Sequence, residues 1–224
     1  MTIPSSSAPC PFCRIAAAYA PIPPSTFHPQ QKQDGAHGSG IIPIDTTQEA
    51  HAHLVLSTPY VLAFLDIMPL TRGHVLVVTR DHYEKLKDMG VEVSREDAVA
   101  QIGQWLPIIS RVVMRTVFGS EAETDWSWNV VQNNGIRAAQ QVPHLHFHVI
   151  PRPPLDPTPT AAKMSFVMFG RGQRDELEDE EAEALAKALR EELAKEVRRV
   201  EEREGVDLNV AATDVRYQRI KGKL

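Results

Sequence analysis

Three histidines alternate with apolar residues in His144-Leu145-His146-Phe147-His148, and Val149 and Ile150 follow. A strand turns successive side chains to opposite faces. A strand here therefore sets His144, His146 and His148 in a row on one face, while Leu145, Phe147 and Val149 can pack on a core behind it. A chain built around such a strand must form a sheet with one buried face and one face carrying imidazoles. Imidazole is the side chain best suited to act as nucleophile, acid or base near neutral pH, and it also binds metals. The plainer alternative is a polar strand face open to solvent. A strand that ends in Pro151-Arg152-Pro153-Pro154 has no need of three imidazoles for its stability.

Other runs complete a sheet. Residues 60–65 are apolar, 74–79 are β-branched, and 127–132 form a third strand-like run before the histidine strand at 144–151. Residues 66–73 have turn chemistry, as does Asn133-Asn134-Gly135. Asp81 can cap a helix opening at His82. Residues 95–118 predict a long amphipathic helix, because Val99, Ile102, Leu106, Ile109, Val113 and Val117 recur at spacings of three and four. Residues 175–204 predict a second, with Asp175 as cap, Glu178 as its capping-box partner and Gly205 as stop. Its apolar stripe of Leu185, Leu189, Leu193, Val197 and Val200 is narrow. That pattern fits a solvated helix packed along one face better than a coiled-coil seam. Trp105, Trp126 and Trp128 are expected in the core or in dimer contacts.

The expected fold class is α+β: an antiparallel sheet of about five strands with a long helix across one face, plus a C-terminal helical extension. The 224 residues divide into a Ser/Pro-rich flexible arm (1–9), a main domain (10–152) with a Pro/Gln/Gly-rich loop insertion at 21–53, and the extension (153–224) with its acidic helix (175–204). The net charge of −5 is unevenly spread. Residues 174–204 hold 7 basic and 13 acidic side chains, whereas 1–173 hold 13 and 14. A near-neutral body has no field to steer a nucleic-acid backbone, so nucleic acid is not an expected partner. A small anionic ligand held by a few placed donors stays open. No apolar run approaches the ~18 residues that span a bilayer. The first residues lack the basic-then-apolar layout of a secretory signal. The expectation is a cytoplasmic or nuclear protein without a membrane partner.

The two cysteines form Cys10-Pro11-Phe12-Cys13. That spacing suits either a redox pair or half of a zinc site, and no βαβ pattern accompanies it. His51-Ala52-His53, in the insertion, can also bind metal, although loop histidines are usually just solvated.

The histidine row followed by apolar residues resembles the signature of the histidine triad (HIT) superfamily of nucleotide hydrolases and transferases. Phe64-Leu65-Asp66-Ile67-Met68-Pro69 and Gly73-His74-Val75-Leu76-Val77-Val78 resemble that family's nucleoside-pocket loop and strand. Val130-Val131-Gln132-Asn133-Asn134-Gly135 resembles the segment leading to the triad, and Cys10-Pro11-Phe12-Cys13-Arg14-Ile15 resembles the start of zinc-containing members. The pattern is most similar to the Hint-like branch. It implies cleavage at the α-phosphate of purine nucleoside 5′-phosphoramidates (AMP or GMP conjugates) through a nucleotidyl-histidine, and a homodimer.

By the same resemblance, His146 is the nucleophile, His148 binds phosphate oxygens and His74 orients His148. Asp66 and Ile67 contact the nucleoside, and Asn133 lies on the leaving-group or phosphate side. Gln141 stands where many relatives have Ser or Thr to serve the leaving group. The resemblance also implies a structural Zn²⁺ held by Cys10, Cys13, His82 and His144, and no organic cofactor. A dinucleoside polyphosphate hydrolase of the Fhit-like branch and a zinc-stabilised nucleotide-binding protein with little turnover are the alternatives. A DNA-repair member like aprataxin is disfavoured by the near-neutral body.

Overall fold

The computed structural model describes residues 10–26, 51–90, 98–121, 123–154 and 176–209. Five strands form one antiparallel sheet: β1 (Leu54–Ser57), β2 (Val61–Leu65), β3 (Val75–Thr79), β4 (Trp128–Gln132) and β5 (His146–Pro151), in the order β1-β2-β3-β5-β4. Among the described residues three α-helices accompany it: α1 (Pro11–Ala18), α2 (Ala98–Phe118) and α3 (Asp179–Glu204). The α+β architecture expected from the sequence is the one found.

Strands β2 and β3 are buried at every position, so both faces of the sheet are covered there. Alternation sorts their side chains. Val61, Ala63, Leu65, Val75 and Val77 join Val149 in the core beneath α2 and α3. Leu62, Phe64, Leu76 and Val78 pack beneath Phe12 and Ile15 of α1. Each fully buried Val or Leu contributes roughly 1.5–3 kcal/mol. β4 is an edge strand, and Trp128 and Val130 on it are 42% and 45% exposed. Trp105 of α2 is wholly buried. Gly73 is required ahead of β3: its φ is +84°, and a Cβ there would stand 2.5 Å from Val117 of α2.

The acidic helix is more deeply tied in than its composition suggests. Its stripe of Leu185, Leu189, Leu193, Val197 and Val200 lies in the main core. Glu196 beside that stripe is wholly buried and pairs with Arg111 and Arg115 of α2 and with Arg199. Arg190 donates to the Leu54 carbonyl of β1 at 2.8 Å. Burial alone would raise the Glu196 carboxyl pKa, but the hydrogen bonds and charges of these arginines hold it below its ordinary value.

Several elements differ from the sequence reading. The last helix opens at Asp179, with Glu178 at the cap position and no side-chain capping bond; Asp175 lies outside the described residues, as do 95–97 and most of the 21–53 insertion. Among the described residues 82–90 no α-helix follows Asp81, only a 3₁₀ turn at Leu86–Asp88. The cause is tertiary: the Leu145 N–H donates to the Tyr83 carbonyl at 2.6 Å and holds that segment open. β5 begins at His146 rather than His144. The four-residue strand β1 was not anticipated, being too short to show a period. Asn133-Asn134-Gly135 turns into a long connection, because Asn134 Oδ1 accepts the Leu86 N–H and Gln140 ties Gly135 to Glu84. No helix among the described residues is long and apolar enough to cross a membrane.

Replacing Glu196 by Gln removes the buried carboxylate that Arg111 and Arg115 share and leaves Arg115 with only the exposed Glu123, and urea unfolding is expected to show a loss of about 3 kcal/mol at neutral pH. A depressed carboxylate pKa stabilises the fold above the ordinary value of 4.5 and ceases to do so as pH falls through the folded-state value. The gap between wild type and E196Q should therefore close in acid. An equal gap at pH 7 and pH 2.5 would refute the role given to the Glu196 charge.

Candidate functional site

The register Val78↔His146 and Leu76↔His148 puts both histidines on the α1 side of the sheet. His74, just before β3, meets His148: His74 Nε2 lies 3.0 Å from His148 Nδ1. The Leu70 N–H donates to His74 Nδ1 at 3.1 Å, so the His74 proton sits on Nε2 and is donated to His148. The remaining His148 proton is then on Nε2. Asp66 stands behind this pair, with Oδ2 3.4 Å from His74 Nδ1 and Oδ1 accepting the Met68 N–H at 2.9 Å.

His146 is set differently. Its Nδ1 lies 2.6 Å from the His144 carbonyl oxygen. Only a protonated nitrogen can donate to a carbonyl, so Nε2 carries the lone pair. Burial lowers the His146 pKa, outweighing the His144 carbonyl and the Asp66 charge. The ring thus stays neutral at pH values where a free imidazole starts to protonate. Phe12 packs edge-on against it, with centroids 5.3 Å apart, and the His148 ring lies 4.9 Å away. The result is a neutral imidazole with a free basic nitrogen, next to a second imidazole that presents a proton.

His144 leaves the row. It precedes the strand and turns toward the N-terminal segment. Its Nε2 donates to the Thr79 carbonyl at 2.8 Å, which leaves the Nδ1 lone pair facing Cys10 Sγ (3.3 Å), Cys13 Sγ (3.5 Å) and His82 Nδ1 (3.2 Å). Burial, with His82 and His146 adding to it, lowers the His144 pKa to about 4 despite the Thr79 carbonyl. Without a cation, burial and the neighbouring Cys10 push the Cys13 thiol up to about 11. Both cysteines are free, and the four donor atoms lie within 4.8 Å of one another. A tetrahedral ion with bonds of about 2.3 Å to sulfur and 2.0–2.1 Å to nitrogen separates its donors by roughly 3.3–3.8 Å. The four residues therefore fit such an ion, and the His144–Thr79 bond is the usual outer support of a metal-bound imidazole. Two histidine nitrogens facing the thiols favour a ligand set over a redox pair.

The other expected residues are placed less tightly. Ile67 is 59% exposed at the rim beside Asp66. Asn133 is half-buried at the end of β4, and Gln141 is exposed. Among the described residues, neither side chain hydrogen-bonds to the histidines. The neighbour Gln140 is the organising residue: it is buried, accepts the Gly135 N–H and donates to the Glu84 carbonyl. Nothing in the sequence distinguishes Gln140 from Gln141. Phe12 and the Thr79 carbonyl were also missed; an apolar residue between two cysteines was the available signal for Phe12.

A family model for the HIT domain matches residues 47–155. An uncharacterized HIT-like protein of Methanocaldococcus jannaschii is 36% identical over 104 residues, covering 46% of this chain and 71% of that protein. The adenosine 5′-monophosphoramidase of Schizosaccharomyces pombe is 39% identical over 92 residues, covering 41% of this chain and 58% of the enzyme. Among solved structures, a hypothetical histidine triad nucleotide-binding protein from Sulfolobus tokodaii covers 69% of this chain and 89% of its own, with a TM-score of 0.50 and 23% identity, a likeness of fold. Cys10, Cys13 and α3 all lie outside the matched family segment.

Proposed function

The chain belongs to the histidine triad (HIT) family, and from that premise we propose that it is a nucleotide hydrolase acting on purine nucleoside 5′-phosphoramidates. The observation that carries this reading is the bond from His146 Nδ1 to the His144 carbonyl, which leaves Nε2 as a neutral nucleophile. His146 Nε2 attacks the α-phosphorus, and the P–N bond to the leaving amine breaks. Gln141 has no acidic proton to give, so the amine takes its proton from solvent. Water then cleaves the nucleotidyl-histidine and releases the nucleoside monophosphate. His148 donates from Nε2 to a non-bridging oxygen and is held to that task by His74. The Asp66 carboxylate accepts from ribose hydroxyls, and Ile67 covers the base.

Cys10, Cys13, His82 and His144 bind a structural zinc ion in this reading. The ion supplies a cross-link between α1 and the segment entering β5. The chain acts as a homodimer joined through β4. The support is the sheet edge there, unpaired among the described residues, with exposed Trp128 and Val130 beside a groove of about 430 Å³ lined by Leu106, Met114 and Trp126.

An AMP-amine conjugate should be hydrolysed to AMP, and His146→Ala should lower the rate roughly 10³-fold or more. Unchanged turnover in that variant would sink the nucleophile assignment, and faster cleavage of a diadenosine polyphosphate would move the substrate class. Elemental analysis after desalting should find zinc in the wild type and one equivalent less in Cys10→Ser; equal contents would reject the four-ligand site. Light scattering should give twice the chain mass for wild type and the single mass for Trp128→Glu, whereas a monomeric wild type would exclude the dimer.

A further inference from the structure

A second cluster of ligating side chains lies away from the histidine row. His53, just ahead of β1, is only 6% exposed. Its Nε2 lies 3.3 Å from Asp179 Oδ1 and its Nδ1 lies 3.7 Å from Glu183 Oε2. The exposed His51 ring stands edge-on to the His53 ring, centroids 4.8 Å apart. Ligand atoms of His51, His53 and Asp179 all lie within 4.8 Å of one another. Asp179 and Glu183 are one turn apart on α3 and so share a face.

With the His53 ring neutral, the hydrogen bonding of this cluster does not close. Both neighbours of His53 are carboxylates, which only accept. A neutral imidazole has one proton, so one of its nitrogens must face a carboxylate lone pair to lone pair. His53 Nδ1 is in fact the one buried side-chain nitrogen or oxygen among the described residues without a hydrogen-bond partner. A cation shared by His53 Nε2, Asp179 and His51 removes the conflict. Nε2 then gives its lone pair to the ion, and the proton moves to Nδ1, facing Glu183. Arg190 holds Glu183 in place at 2.8 Å. A carboxylate behind the far nitrogen of a ligating histidine is the usual outer support of such a ligand.

We propose that His51, His53 and Asp179 bind a divalent transition-metal ion such as zinc, with water in the remaining coordination positions. Two imidazoles and one carboxylate without a thiolate suit a borderline ion rather than Mg²⁺ or Ca²⁺, which prefer all-oxygen shells. The 3.3 Å between His53 and Asp179 is the separation expected of two ligands that each lie about 2.0–2.2 Å from one ion. The ion fastens the first turn of α3 to the segment entering β1. That region also grips the loop after β2: the Leu177 N–H donates to the Ile67 carbonyl at 3.0 Å, and Arg72 lies 3.5 Å from Glu181. The second site is thus positioned to steady the rim formed by Asp66 and Ile67.

The test is equilibrium dialysis of the folded 224-residue chain against micromolar zinc chloride, with bound zinc counted in wild type, His51→Ala and Asp179→Asn. Both substituted side chains are exposed, and circular dichroism checks that each variant folds. The readout is the difference between wild type and variants, so it does not depend on whether Cys10 and Cys13 carry metal. Wild type should bind one more equivalent than either variant, or bind it roughly tenfold or more tightly. Equal uptake by all three proteins, or a loss in only one variant, overturns the proposal.

Discussion

One backbone carbonyl, that of His144, joins the two chemistries of this molecule. It accepts the Nδ1 proton of His146 and thereby decides which nitrogen of that ring is free. Its own residue is anchored on the other side by the Thr79 carbonyl and faces the two thiols and His82. A shift of His144 would remove the acceptor that selects the His146 tautomer. The second imidazole pair is fixed independently, through the Leu70 amide, His74 and His148. The row of histidines is therefore three residues with three different hydrogen-bond assignments, each set by a different part of the backbone.

The sheet makes this possible by being apolar on both faces in its middle and chemically armed at β5. α2 and α3 cover one face and leave the other to α1 and the histidines. The acidity of α3 is partly internal: Glu196 is matched by arginines of α2 at a buried contact, so the segment that dominates the net charge is joined to the core rather than hung beside it. Leu177, just ahead of the same helix, reaches the loop after β2 by donating to the Ile67 carbonyl.

How much of this was legible follows the range of the forces involved. β2 and β3 show in the sequence because runs of four or five apolar residues need burial on both faces. The His146 and His148 face follows from the two-residue period alone. The departure of His144 does not, since it depends on the Thr79 carbonyl and on thiols more than a hundred residues away in sequence. Its place in a four-ligand set was suggested only by resemblance to a family. The helix expected after Asp81 fails for a similar reason: a capping signal is local, and the bond from Leu145 to Tyr83 overrides it. The burial of Glu196 in a highly charged stretch and the choice of Gln140 over Gln141 likewise need the tertiary fold.

Phe12 gives the N-terminal segment a second meaning. Its ring touches both His144 and His146, one member of each cluster. It stands between the two cysteines in sequence, so whatever fixes those sulfurs also fixes the wall that keeps water off His146. Two sites that share such a wall are thermodynamically linked, and the linkage is reciprocal. To the extent that an ion at the cysteines holds the ring against His146, a ligand at His146 tightens the grip on that ion by the same factor.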